Sequence, residues 1–276
     1  MNQNSSQSAR RTRALVESAV MISLATVLSI FKLAELPYGG SITLASMLPI
    51  LLVAYRHGAA FGFGSGLVYG VVQQLLGLKN LSYFTTWQSI VAIICLDYLV
   101  AFGVIGIAAL FRRQKNARVA LLSGGLAACL LRYVCHVISG ATVWAGLSIP
   151  TEAALAYSFV YNATYMIPET IVLLLVLGYL ASSLDFKSAV PKRIATESGS
   201  TAPLYFLFSG LSLLGALVFD TVSIFKNMQD PDSGEFTLAY LSEVSWVAVA
   251  IVSGVLASVA ILLFILGIRK SRCKGN

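Results

Sequence analysis

Apolar stretches recur along the chain, and short polar segments separate them. About 20 residues of α-helix rise roughly 30 Å, the thickness of a bilayer's hydrocarbon core. Eight membrane-crossing helices are predicted on this pattern, over 14–31, 42–55, 58–77, 89–111, 119–142, 153–181, 204–225 and 239–268. The second is short and ends in a tight turn at Arg56, His57 and Gly58. The sixth is long and holds Pro168, which predicts a kink. The polar stretch SSLDFKSAVPKRIATESGSTAP (182–203) interrupts the series. It divides the chain into a six-span unit (1–182), a linker (183–203) and a two-helix membrane hairpin with a basic tail (204–276). The acidic, turn-rich NMQDPDSGEF (227–236) joins the last two spans.

Composition agrees with the pattern. The chain is 57% hydrophobic and 11% charged, whereas soluble domains carry about 25% charge. The fold class expected is an all-α integral membrane protein, with no cleavable signal peptide. The four cysteines have no metal-ligand spacing, so no metal, no cofactor and no disulfide framework is expected. Fifteen of the 19 Lys and Arg side chains fall on one side when the N-terminus is put inside; three fall outside and Arg132 lies within a span. By the positive-inside rule both termini are cytoplasmic. This bias accounts for the net charge of +7. It implies affinity for anionic membrane lipid and calls for no nucleic-acid partner.

Ionisable residues inside spans point to function, because burying a charge in lipid costs free energy. The candidates are Asp97, Arg132, His136, Glu169 and Asp220, with Glu17 and Glu243 nearer span ends. In the expected topology Asp97, Tyr98, His136, Trp144, Tyr157 and Asn162 reach one depth near the outer face, from three consecutive spans. Together they describe an outward-opening pocket with one acid, one imidazole, one amide and aromatic walls. Such a set suits a small, flat, cationic heteroaromatic solute, held by the carboxylate and by ring faces. Arg132 is deeper and matches Glu169, so a structural ion pair is expected there. Asp220 and Glu243 are assigned to the last helix pair.

At these residues the sequence resembles the thiamine-binding S-components of energy-coupling-factor (ECF) transporters, the ThiT family. The resemblance covers about residues 10–182. It rests on LDYLVAFGVIGIAALFR (96–112), LRYVCHVISGATVWAG (131–146) and AYSFVYNA (156–163), with LPILLVAYRHGAAFGFGSGLVYG (48–70) in support. The resemblance implies a six-helix S-component-like bundle, here with two additional C-terminal transmembrane helices. It implies Asp97, Tyr98, His136, Gly140, Trp144, Tyr157 and Asn162 as substrate-binding residues, with an aminopyrimidine stacked on Trp144 and the thiazolium near His136. It further implies a bacterial plasma-membrane location and an ECF module as partner, made of a transmembrane T-component and two ATPase subunits. Ala19 and Ser23 form a small-xxx-small face for that partner. Two departures stand out. Gly40 occupies the place of a loop tryptophan found in some members, where Tyr38 or Trp87 would have to substitute. Asp97 stands where some members have glutamate.

The expected function is capture of thiamine at the outer face for ECF-driven uptake. The alternatives are an S-component-like transporter for another small vitamin or a thiamine precursor, or a non-transporting sensor or scaffold of the same fold. An enzyme is not expected. Ser65 in GFGSG (62–66) lies in the cytoplasmic half of its span, and His136 lies toward the outside, so they do not form a dyad. No Walker motif is present, so the chain does not hydrolyse ATP by itself.

Overall fold

A computed structural model describes residues 3–272, except Ser148, Pro150, Ala189, 195–200, Gln229, 231–236 and Leu238. Its helices are α1 (Gln3–Ile30), α2 (Leu48–His57), α3 (Ala59–Leu76), α4 (Trp87–Arg113), α5 (Ala117–Thr142), α6 (Ala154–Ser183), α7 (Ala202–Phe225) and α8 (Trp246–Arg272). Seven of them are long and apolar enough to cross a membrane.

The eighth, α2, corrects the expectation for 42–55. Its ten residues rise about 15 Å, half of what a crossing needs. The rest of that passage is non-helical. Strand β1 (Lys32–Glu35) pairs antiparallel with β2 (Ser41–Thr43), and a turn carries the chain from β2 into α2. Irregular backbone is tolerated at membrane depth only where protein surrounds it. Ile42, Thr43 and Ala45 are buried here, as is every residue of α2 from Leu48 to Tyr55. The passage 41–57 is therefore the centre of the bundle. Gly58, at φ +93°, makes the reversal into α3 in a conformation that costs a side-chain-bearing residue more.

The other helices stand around this centre. Glycines let α3 and α4 approach closely: a Cβ at Gly70 would come 2.6 Å from the Tyr98 carbonyl, and one at Gly66 would strike that of Phe102. Gly64 has open space beside it and serves no such contact. Asn116 caps α5 by accepting from the amides of Arg118 and Val119. The hairpin α7–α8 lies against α6. Thr221 Oγ1 donates to the Thr164 carbonyl at 3.0 Å, and Phe225 meets Tyr161 at 5.6 Å between ring centres. The two helices are held together by Ser209 Oγ and Ser212 Oγ, which donate to the carbonyls of Ala260 and Leu256. Asp220 accepts from Ser253 across the same pair, the role expected of it. Glu243 ends a short 3-10 turn before α8.

The segment 183–203 is not a plain linker over its described residues. Strands β3 (Leu184–Asp185) and β4 (Lys192–Arg193) pair within it. Arg56 Nη1 donates to the carbonyls of Phe186 and Ser188, which ties the segment to the end of α2. Most of the acidic loop 227–236, and Cys273, fall outside the described residues.

Candidate functional site

At the end of the bundle away from Arg56, a cavity of about 550 Å³ opens between the β1–β2 loop and helices α3 to α6. Of the residues expected there, Asp97, Tyr98, His136, Gly140, Trp144 and Asn162 all line it. Asp97 and Tyr98 come from a wide π turn, Ile94–Val100, within α4. Such turns are frequent at functional sites, since they re-aim side chains that a regular helix would spread differently.

Asp97 is the hub of this wall. Its Oδ1 is 2.9 Å from His136 Nδ1, and its Oδ2 accepts from Ser139 Oγ at 2.8 Å and from Trp144 Nε1 at 3.0 Å. Three donors compensate a carboxylate that burial would otherwise penalise. The acid thus organises imidazole, hydroxyl and indole into one rigid surface. With the carboxylate as acceptor, His136 Nδ1 carries the hydrogen; in the neutral imidazole Nε2 then presents a lone pair. That Nε2 is buried and has no hydrogen-bond partner among the described residues.

The indole is placed by the end of α5. Val143 and Trp144 both donate their amides to the Ser139 carbonyl, and the chain turns there. Trp144 then packs edge-on against Phe84 at 4.8 Å and lies 6.2 Å from both Tyr38 and Tyr83. Tyr38, in a left-handed conformation at φ 61°, leans over it from the β1–β2 loop. Of the two substitutes considered for the loop tryptophan, Tyr38 lines the cavity, whereas Trp87 is 70% exposed and does not. A side chain at Gly40 has no room. Its Cβ would lie 2.9 Å from the Tyr165 ring and 3.2 Å from Tyr161 Oη.

Gly140 is also explained by packing. A Cβ there would strike Ser158 Oγ on α6, which donates to the Val137 carbonyl. On α6, Asn162 donates to the Ser158 carbonyl at 2.9 Å and accepts from Tyr165 Oη at 2.7 Å. Tyr157 is not among the lining residues. It sits one turn from Tyr161 and about 140° around the helix from Asn162, partly buried against the core. Tyr161 and Tyr165 take the wall instead. The spacing of Tyr165 from Asn162, like that of Ser139 from His136, was readable from helical periodicity; that of Tyr161, about 100° around the helix from Asn162, was not. Gln73 and Asn80 also line the cavity; Asn80 Nδ2 donates to Tyr98 Oη at 3.1 Å. Nothing local in the sequence marks these two.

Arg132 and Glu169 form the expected ion pair, Nη1 to Oε2 at 2.7 Å. Thr43 Oγ1 donates to the other Glu169 oxygen at 2.8 Å, and the guanidinium lies 4.7 Å above the Phe102 ring. Arg132 is not simply beneath the site, because it also lines the cavity. Ser65 is buried on α3 and lines no part of the cavity that holds His136. Ala19 and Ser23 are exposed on the outer face of α1.

A family model described as "Thiamine transporter protein (Thia_YuaJ)" matches residues 15–187. The thiamine transporter ThiT of Bacillus subtilis is 35% identical over 178 residues, which cover 60% of this chain and 88% of the relative. A solved structure of ThiT from Listeria monocytogenes is similar in fold, with a TM-score of 0.53, 23% identity, and coverage of 62% of this chain and 94% of the other. Helices α7 and α8 lie beyond the family match.

Proposed function

The chain belongs to the thiamine transporter protein family, and from that premise we propose that it is the substrate-capturing membrane subunit of a thiamine importer. It is a multi-pass membrane protein and not an enzyme. In our reading thiamine enters the aromatic cavity from outside the cell, with the N-terminus and the basic ends of the helices on the cytoplasmic side.

One observation carries the assignment of the site. A buried His136 Nε2 without a partner borders a cavity whose neighbouring carboxylate, Asp97, is already committed to three donors. A buried acceptor left unpaired costs roughly 1–3 kcal/mol, so a ligand donor that reaches it gains that much. The exocyclic amine of an aminopyrimidine is such a donor, which in this reading puts the pyrimidine amine, rather than the thiazolium that the resemblance implied, beside His136. The indole and tyrosine rings supply flat faces for the pyrimidine and for the cationic thiazolium. The volume falls in the range of small-molecule pockets, roughly 300–1,000 Å³.

Energy for uptake comes, in this reading, from an ECF module, a T-component with two ATPase subunits. The exposed Ala19–Ser23 face of α1 is where the T-component docks; small residues there allow backbones to approach closely.

Tryptophan fluorescence tests the site. Trp87 and Trp246 are exposed, whereas Trp144 is 8% exposed and lines the cavity. Micromolar thiamine is expected to quench a signal that Trp144→Phe removes. No response, or a response unchanged in Trp144→Phe, refutes the assignment.

A further inference from the structure

A second cleft, of about 670 Å³, lies at the opposite end of the bundle from the aromatic cavity. Four separate segments converge on it. Arg10, Arg11 and Arg13 come from α1, Arg56 from α2, Arg112 from α4, and Lys187 from the stretch after α6. Among the described residues, no carboxylate lines it. Two acids lie nearby: Glu17 is bonded to Arg56 and lies 3.0 Å from His57 Nε2, and Asp185, which accepts from the Lys187 amide, is close enough for its charge to act on Tyr55. Their charges offset part of the basic cluster, and the six Arg and Lys side chains leave the cleft net positive. Arg56 and Arg112 are further fixed by backbone carbonyls, Arg112 Nη2 donating to the Arg56 carbonyl at 3.2 Å.

The positive-inside bias accounts for basic residues at this end, but not for their gathering in one concavity. Nor does it account for Tyr55. That side chain lines the cleft, is 4% exposed, and its hydroxyl has no hydrogen-bond partner among the described residues. A buried hydroxyl among guanidinium groups fits an anion's oxygen, to which it would donate. Arginines match phosphate oxygens through paired N–H groups.

We propose that this cleft binds a phosphate-bearing anion, namely the headgroup of an anionic phospholipid of the leaflet that it faces. The neighbouring surface favours a lipid over a soluble ion. A depression along α1 shares Arg13 with the cleft and continues over Val16 and Val20, both 61% exposed. An acyl chain would lie along those residues while the phosphate sits among the arginines, and it would leave that face when the T-component docks beside Ala19 and Ser23. The site does not rest on the thiamine reading, and the naming of the leaflet as cytoplasmic rests on the positive-inside bias.

Native mass spectrometry of the full chain tests the proposal, after exposure to equal phosphatidylglycerol and phosphatidylcholine in neutral detergent. Phosphatidylglycerol is expected to be retained preferentially. Each basic residue near a membrane surface contributes about a fivefold preference for anionic lipid. The triple variant Arg11→Gln/Arg112→Gln/Lys187→Gln should therefore lower phosphatidylglycerol affinity about a hundredfold. Tyr55→Phe should lower it severalfold, and Arg112→Gln alone about fivefold, should the triple variant fail to fold. Thiamine affinity, measured in parallel, should not change, and its absence in the parent would refute the thiamine site without touching this one. Displacement of the lipid by millimolar inorganic phosphate would keep the anion site but refute the lipid as its occupant. Equal retention of both lipids, retention unchanged in the folded variants, or displacement by polyglutamate where phosphate is inert overturns the proposal.

Discussion

Asp97→Asn isolates the role of the hub. The carboxylate accepts from His136, Ser139 and Trp144, two of them on Oδ2. An asparagine keeps the shape but turns one oxygen into a donor. If its amide nitrogen faced Ser139 and Trp144, two donors would confront a third. The less costly orientation keeps the oxygen there and turns the NH2 toward His136 Nδ1. His136 then has to accept at Nδ1, so its hydrogen moves to Nε2. The atom facing the cavity changes from acceptor to donor, and the ligand's donor meets it unfavourably. The remaining hydrogen bonds also lose the strength of a charged acceptor, where such bonds are worth roughly 1.5–3 kcal/mol each. The expected loss of thiamine binding is about 2–3 kcal/mol, or roughly 30- to 150-fold in Kd. Isothermal titration calorimetry measures it. Imidazole 15N chemical shifts report the tautomer directly, with only two histidines in the chain. A folded variant with Kd within about threefold of the parent, or with His136 still protonated on Nδ1, refutes the reasoning.

Tyr38→Ala removes the ring that lies over Trp144 and should weaken thiamine binding about tenfold, the effect of losing about 1.4 kcal/mol of aromatic contact; Trp87→Ala, at an exposed position outside the cavity, should leave Kd unchanged. Arg132→Met strands Glu169, which is 2% exposed, and should destabilise the chain by about 3–5 kcal/mol; Arg132→Met/Glu169→Leu should recover most of that loss in thermal unfolding. We expect a chain ending after Arg193 to keep thiamine affinity within about tenfold while unfolding at a lower temperature, because α7 meets the pocket wall at its edge, through Phe225 on Tyr161, Thr221 on α6 and a contact with β1. Complete loss of binding in a folded truncation would make the hairpin part of the site.

The membrane class, seven of the crossing helices and much of one pocket wall were legible in the sequence. Transfer into lipid is a property of each segment by itself, so hydropathy and length reveal it. His136 and Gly140 lie four residues apart, and their common direction follows from the helix repeat; Trp144 continues that spacing in the sequence but stands in the turn after α5. The same repeat, applied from Asn162, points to Tyr165 rather than to Tyr157.

What only the tertiary structure decided depends on how separate segments meet. The passage 42–55 has the apolar content of a span, but the other helices enclose it, and enclosure lets it cross as a strand, a turn and half a helix. Asp97 has the composition of a ligand-binding acid. Its partners on α5 and in the turn beyond make it the brace of the wall and leave His136 Nε2 facing the cavity. Gly40 remains glycine because two tyrosines from α6 fill the space above it, and the covering ring comes from Tyr38 instead. At the other end, arginines scattered from position 10 to position 112 share one cleft. Hydropathy is additive along the chain and therefore readable from sequence; hydrogen bonds and charge clusters are set by contacts between distant residues, and those exist only once the helices have packed.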